Sequence, residues 1–157
     1  DLAMQAISYG NVYVARVAMG ANPQQTLLAF REAEAYKGPS LILAYSHCIA
    51  HGLNMRHGLR QQRLAVECGH WPLIRYNPEV RQSRENPFVL DSPRPGIELK
   101  EYTINELRYR LLYNTNPQEA EQLMELAQQN IHLKWSDYEE MAARGCEGFP
   151  GAGRTPD

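Results

Sequence analysis

The sequence predicts an α/β fold built on a sheet with parallel strands, and three stretches carry that prediction. Residues 12–19, VYVARVAM, are rich in β-formers and end at Gly20. Residues 40–46 contain Leu41, Ile42, Leu43, Ala44 and Tyr45, a nearly continuous apolar run of the kind buried on both faces of a parallel sheet. Between them lies a well-signalled helix, so strand, helix and strand make a right-handed βαβ crossover with the two strands parallel.

In chain order, Leu2, Ala3, Met4, Ala6 and Ile7 form an apolar-faced helix stopped at Gly10. Arg16 is the exception in the first strand, because a charge in mid-strand needs a partner or an edge. The crossover helix starts with Asn22 as N-cap, Pro23 in the first turn and Gln25 completing a capping box. Leu27, Leu28, Phe30 and Ala33 are expected to supply its buried side, and Gly38-Pro39 ends it. Residues 59–68 read as a short helix capped by Gly69, and residues 71–76, WPLIRY, as a short strand stopped by Asn77-Pro78. From 79 to 101 the chain is expected to cross the surface in extended form, since Asn86-Pro87 and Ser92-Pro93 disfavour helix. Thr103 and Glu106 suggest a capping box for a helix through Leu107, Leu111 and Leu112. Asn116, Pro117 and Glu119 open a longer one, whose stripe of Leu123, Leu126, Ala127, Ile131, Trp135, Tyr138 and Met141 implies docking on the body of the protein. The organisation expected is residues 1–78 as the α/β part, 79–101 as a crossing segment, 102–144 as a helical clasp and 145–157 as a disordered tail.

Composition narrows the function classes. The 157 residues are 43% apolar and 22% charged with a formal charge of −2, ordinary for one soluble domain with a modest core. Charges of both signs are mixed, so no basic stripe points to nucleic acid or an anionic membrane. No apolar run is long enough to span a bilayer, and no signal-peptide pattern opens the chain. Three cysteines without regular spacing make no disulfide framework, which favours a reducing, cytoplasmic compartment. A first residue of Asp, already inside a helical pattern, suggests a piece of a longer polypeptide or a processed subunit.

The chemistry-bearing stretch is residues 39–52, PSLILAYSHCIAHG. Ligands in open α/β sheets lie outside the carboxyl ends of the strands, and His47, Cys48 and His51 sit directly past one. A lone Cys there is most simply a small hydrophobe. A structural zinc on Cys48, His51 and His57, with Cys68 as a fourth ligand, is an alternative, although the spacings match no common zinc pattern. A Cys-His nucleophile with His47 or His51 as base is another, but it lacks a nearby orienting carboxylate or oxyanion loop. There is no phosphate-cradling Gly-rich loop, nucleophile elbow, CxxC or acidic pair for magnesium. His70 and His132 read as surface or interface residues, and Cys146 lies in the expected tail.

Residues 9–52, YGNVYVARVAMGANPQQTLLAFREAEAYKGPSLILAYSHCIAHG, and 58–78, GLRQQRLAVECGHWPLIRYNP, resemble the C-terminal thiamine-diphosphate domain of the pyruvate:ferredoxin (flavodoxin) oxidoreductases. The likeness continues through NPFVLDSP (86–93), LRYRLL (107–112) and WSDYEEMAA (135–143), covering about residues 1 to 143, densest over the first 78. It implies the second half of a parallel-sheet thiamine-diphosphate-binding domain with two C-terminal helices. It also implies oxidative decarboxylation of pyruvate to acetyl-CoA, with electrons passing through four-iron–four-sulfur clusters to ferredoxin or flavodoxin. In that family the strand-end cysteine, here Cys48, is the fourth ligand of the cluster nearest the thiamine. The GDG segment and the stretch holding magnesium and diphosphate precede this region in the family, as do the other three cluster cysteines. The isolated chain is therefore expected to be inactive. Its implied partners are the remainder of the enzyme, which is implied to be a homodimer, together with ferredoxin or flavodoxin, pyruvate and coenzyme A.

Overall fold

The computed structural model describes residues 1–145 and Phe149. Strand β1 (Tyr13–Val17) runs through the centre, and all five of its residues are buried. Its β-branched and aromatic side chains suit a pleated surface covered on both sides. Helix α1 (Leu2–Ser8) precedes it, capped by Asp1, whose carboxylate accepts from the amides of Ala3 and Met4. Helix α2 (Pro23–Ala35) starts as the sequence predicts, with Asn22 Oδ1 accepting from the Gln25 amide. It returns the chain to β2 (Ser40–Ala44), which pairs parallel with β1 and sets Val14 beside Leu41 and Arg16 beside Leu43.

The sheet is mixed rather than all parallel. Strand β3 (Ile74–Tyr76) lies antiparallel on the other side of β1, and β4 (Phe88–Leu90) is antiparallel to β3, giving the order β2-β1-β3-β4. Strand β4 falls inside the segment expected to be a surface crossing. The Asn86-Pro87 signal does mark a break in helix, but the extended chain after it pairs with β3, Phe88 opposite Tyr76, and becomes a strand, with the Phe88 ring buried 6.2 Å from that of Tyr138.

Residues alternate cleanly between two faces. Val14, Ile74, Tyr76, Leu41 and Leu43 pack with Ala3, Ala6, Ile7 and Tyr138, so α1 and the last helix, α6 (Pro117–Ala143), cover one face. Tyr13, Ala15, Val17 and Ile42 pack with Ala29 of α2 on the other. Each large side chain fully buried in these layers contributes about 1.5–3 kcal/mol relative to exposure.

Two buried faces differ from those the sequence predicts. Gln25 and Ala29 are the buried residues of α2, whereas Leu27, Leu28 and Phe30 are exposed by 58%, 42% and 53%. The small Ala29 lets the helix approach the sheet closely, and that contact sets the rotation of α2. In addition, β2 is not buried on both faces: Leu41, Ile42 and Leu43 are half-buried, because this strand is the sheet edge in the chain.

Helix α3 (Gly58–Glu67) ends at Cys68 and Gly69, the latter at φ +76° as a left-handed stop requires. Among the described residues the C-terminal part holds α4 (Leu99–Thr103) in addition to the two expected helices, α5 (Leu107–Thr115) and α6. Thr103 closes α4 instead of capping α5, since its hydroxyl donates to the Lys100 carbonyl. Asn116 caps α6 by accepting from the Glu119 amide. Ile131, Trp135 and Tyr138 of its stripe are buried, while Leu123 and Leu126 are exposed. The expected tail, with Cys146, lies outside the described residues apart from Gly145 and Phe149. Among the described residues no helix is long and apolar enough to cross a membrane.

Candidate functional site

The loop after β2 leaves the sheet at its carboxyl edge. The Tyr45 amide still donates to the Val17 carbonyl at 2.9 Å, extending the parallel ladder by one step. Cys48 is half-buried, in extended conformation, at the head of the 3₁₀ turn Ile49–His51. Gly52 follows at φ +72°, a left-handed position that glycine occupies without steric cost, and a Cβ there would collide with Leu107. A second turn, Met55–His57, leads into α3. Gly58 is needed for space instead, because a Cβ at that position would strike the His47 ring.

Side chains from α3, α4 and α5 hold this loop. Gln62 accepts from the Gly20 amide at 2.7 Å and lies 3.1 Å from His47 Nδ1, joining the ends of β1 and β2. Glu106, 2% exposed, is the centre of a larger network. Its Oε1 accepts from Gln61 Nε2 and from the Tyr102 hydroxyl, each at 3.1 Å. Its Oε2 is 2.9 Å from Arg108 Nε and 3.7 Å from His51 Nδ1. The Tyr102 hydroxyl in turn lies 2.7 Å from that of Tyr45. An ionised carboxylate can only accept, so Tyr102 donates to Glu106 and Tyr45 donates to Tyr102. Burial raises the pKa of both phenols, which keeps them protonated as these roles need.

The residues singled out from sequence do not form a metal cage of their own. Among the described residues no three His, Cys, Asp or Glu side chains gather to hold an ion, so a zinc site on Cys48, His51, His57 and Cys68 is not assembled. Cys68 belongs to the core among Ala65, Leu99, Tyr102 and Ile131. Its thiol donates to the Ala65 carbonyl at 3.5 Å, and burial pushes its pKa up to about 11. His51 lies against a buried carboxylate, Glu106, whose spacing from Thr103 suggests a helix cap instead. His70 stacks on Tyr102 with ring centroids 5.0 Å apart, and His132 is 3.0 Å from Gln128 Nε2. For an iron–sulfur cluster the donor set is consistent with a single contribution: one partly exposed thiol beyond a strand end.

Two other polar groups lie within the sheet layers. Arg16 finds the partner its position demands: Nη2 meets Asp1 Oδ1 at 2.6 Å and Nη1 donates to the Tyr138 hydroxyl at 3.1 Å. Its guanidinium also lies between the Trp71 and Tyr138 rings, 5.3 and 5.8 Å from their centroids. On the opposite face Arg75 grips Asp91 with two hydrogen bonds and also pairs with Glu32. A cleft of about 690 Å³ opens between the sheet face at Arg16 and helices α4 to α6, with Leu99, Tyr109, Met124 and Ile131 in its walls. Cys48 does not line it.

No known family's sequence model matches the chain. A protein of Trichormus variabilis named pyruvate-flavodoxin oxidoreductase is 49% identical over 144 residues, covering 92% of this chain. One of Moorella thermoacetica named pyruvate:ferredoxin oxidoreductase is 46% identical over 142 residues, or 90% of the chain. The chain is a homologue of one segment of these oxidoreductases. It spans 12% of the length of either relative. The same segment is 42% identical, over 143 residues, to 8% of a mitochondrial pyruvate dehydrogenase [NADP(+)] of Euglena gracilis. The Glu106 network was missed in the sequence because its members, Tyr45, Gln61, Tyr102 and His51, are scattered over four elements and follow no spacing rule.

Proposed function

We propose that this chain is the part of a 2-oxoacid:ferredoxin or flavodoxin oxidoreductase that lends one thiolate, Cys48, to a four-iron–four-sulfur cluster. The observation that carries the proposal is the 49% identity maintained over 144 residues, a stretch that includes the whole strand-end loop. The names of the relatives share pyruvate and differ in acceptor: flavodoxin, ferredoxin or NADP(+). A segment common to all three suits a role before the final acceptor. In the complete enzyme thiamine diphosphate with magnesium supplies the carbanion chemistry that releases carbon dioxide from pyruvate, and coenzyme A takes the acetyl group. This chain alone does not hold those cofactors. The enzyme we envisage is a cytoplasmic homodimer in which residues 1–78 form the half-domain, 79–101 cross it and 102–144 clasp it.

Within that enzyme the chain's own residues set the geometry. β1 and β2 carry the loop to the carboxyl edge of the sheet, Gln62 ties its start to Gly20, and Gly52 turns it back. The Cys48 thiolate is thereby presented at the edge, where three cysteines from elsewhere in the enzyme complete the cluster. The test is the Cys48→Ala form of the full-length enzyme, read by iron content and electron paramagnetic resonance. One cluster signal is expected to vanish while pyruvate binding survives, with Cys68→Ala retaining every signal. Full cluster content and turnover in Cys48→Ala would refute the assignment.

A further inference from the structure

The geometry points to Glu106 as the residue that positions the Cys48 loop, and hence as a determinant of the properties of the cluster Cys48 ligates; the inference rests on that ligand assignment. Two arms leave this one buried carboxylate. Through Oε1 and the Tyr102 hydroxyl it reaches Tyr45, three residues before Cys48. Through Oε2 it faces His51, three residues after Cys48, at 3.7 Å. Both flanks of the cysteine are therefore referred to a single anchor on the α4–α5 connection, 2% exposed and shielded from solvent. Gln61 Nε2 braces the same oxygen as Tyr102 and also donates to the Tyr102 carbonyl at 3.1 Å. Arg108 balances the charge at 2.9 Å, with its Nη1 3.4 Å from His51 Nε2.

Gln62 holds the loop only at its start, through His47, so loss of the Glu106 anchor would leave the Cys48 sulfur freer to shift, and its hydrogen bonding and solvent exposure tune a cluster's potential. Glu106 suits this role because Gln61 and Tyr102 both donate to Oε1 and the Arg108 guanidinium lies against Oε2. Glu106→Gln keeps the size but replaces one acceptor oxygen with an NH₂, which then faces either Arg108 or Gln61 and Tyr102, donor against donor. Tyr45→Phe removes only the terminal hydroxyl of one arm and leaves the packing intact.

The experiment uses the full-length enzyme with Glu106→Gln, Tyr45→Phe, Cys48→Ala and, as a surface control, Glu139→Gln. Each cluster's paramagnetic spectrum and midpoint potential are recorded, with the rate at which an iron chelator strips it. The cluster that Cys48→Ala abolishes is expected to change line shape and potential in Glu106→Gln, with iron stripped about tenfold faster, in line with the loss of a buried charge-assisted hydrogen bond. Tyr45→Phe is expected to shift it in the same direction by less, the other clusters and the KM for pyruvate are expected to stay put, and Glu139→Gln is expected to change nothing. An unmoved cluster in both Glu106→Gln and Tyr45→Phe overturns the inference, as does an equal change in all clusters, which would mean general loosening. If Glu106→Gln does not fold, Tyr45→Phe decides alone. A Cys48→Ala enzyme with all its clusters would instead overturn the ligand assignment and this inference with it.

Discussion

Asp1→Asn and Arg16→Met remove the same ion pair from opposite ends, and their costs are expected to differ. Arg16 sits in the central strand with its side chain 9% exposed, and the Asp1 side chain is 18% exposed. Asparagine at position 1 retains an oxygen for the Ala3 and Met4 amides, so the α1 cap survives, while the charge and the second oxygen that accepts from the Tyr138 hydroxyl are lost. The guanidinium is then buried without a carboxylate. It keeps the Tyr138 hydroxyl and two aromatic faces, which places the cost at about 3 kcal/mol, the lower end for a broken buried pair. Methionine at position 16 removes the charge and fills much of the same space. Asp1 then still accepts from two amides and the Tyr138 hydroxyl, so the cost falls to about 1–2 kcal/mol. Amide hydrogen exchange of the β1 peptide, in an enzyme carrying this segment, reads the local opening directly. Protection is expected to fall about 100-fold in Asp1→Asn and about tenfold in Arg16→Met. An Arg16→Met effect equal to or larger than that of Asp1→Asn would refute the reasoning, because it would make the cation, not its uncompensated burial, the dominant contribution.

The chain by itself is expected to show no saturable thiamine-diphosphate binding by calorimetry and no pyruvate-dependent dye reduction; either one, if seen, contradicts the fragment reading. It should also aggregate or melt broadly, since β2 is an edge with half-buried leucines and α2 exposes Leu27 and Phe30; a sharp transition of a folded monomer would count against this. Cys68 should alkylate in the native protein with a rate that climbs through about pH 11, against about pH 8.5 in urea. Because the folded pKa is the higher one, the protonated thiol stabilises the fold below about pH 8.5, and that contribution is lost as pH rises through about 11. A native inflection below pH 9 would show that Cys68 is not enclosed.

The first strand, its crossover helix and the edge position of Cys48 were legible in the sequence because local chemistry specifies them. Asn22-Pro23 starts a helix wherever it is placed, and VYVARVAM prefers a pleated surface in most settings. The need for a partner at Arg16 was legible too, but not the partner's identity, since Asp1 is brought there by the fold of α1 onto β1. Burial could not be read the same way. Leu27 and Phe30 look like core, yet close approach of Ala29 to the sheet turns them outward. Phe88 becomes part of a strand only because β3 lies beside it. Glu106 shows the difference most plainly: with Thr103 three residues before it, local pattern makes it a helix cap. Tertiary structure instead encloses its carboxylate among Gln61, Tyr102, Arg108 and His51. Local signals depend on backbone preferences a few residues long. The environment of a buried charge depends on which distant donors the fold delivers to it, and only the assembled structure decides that.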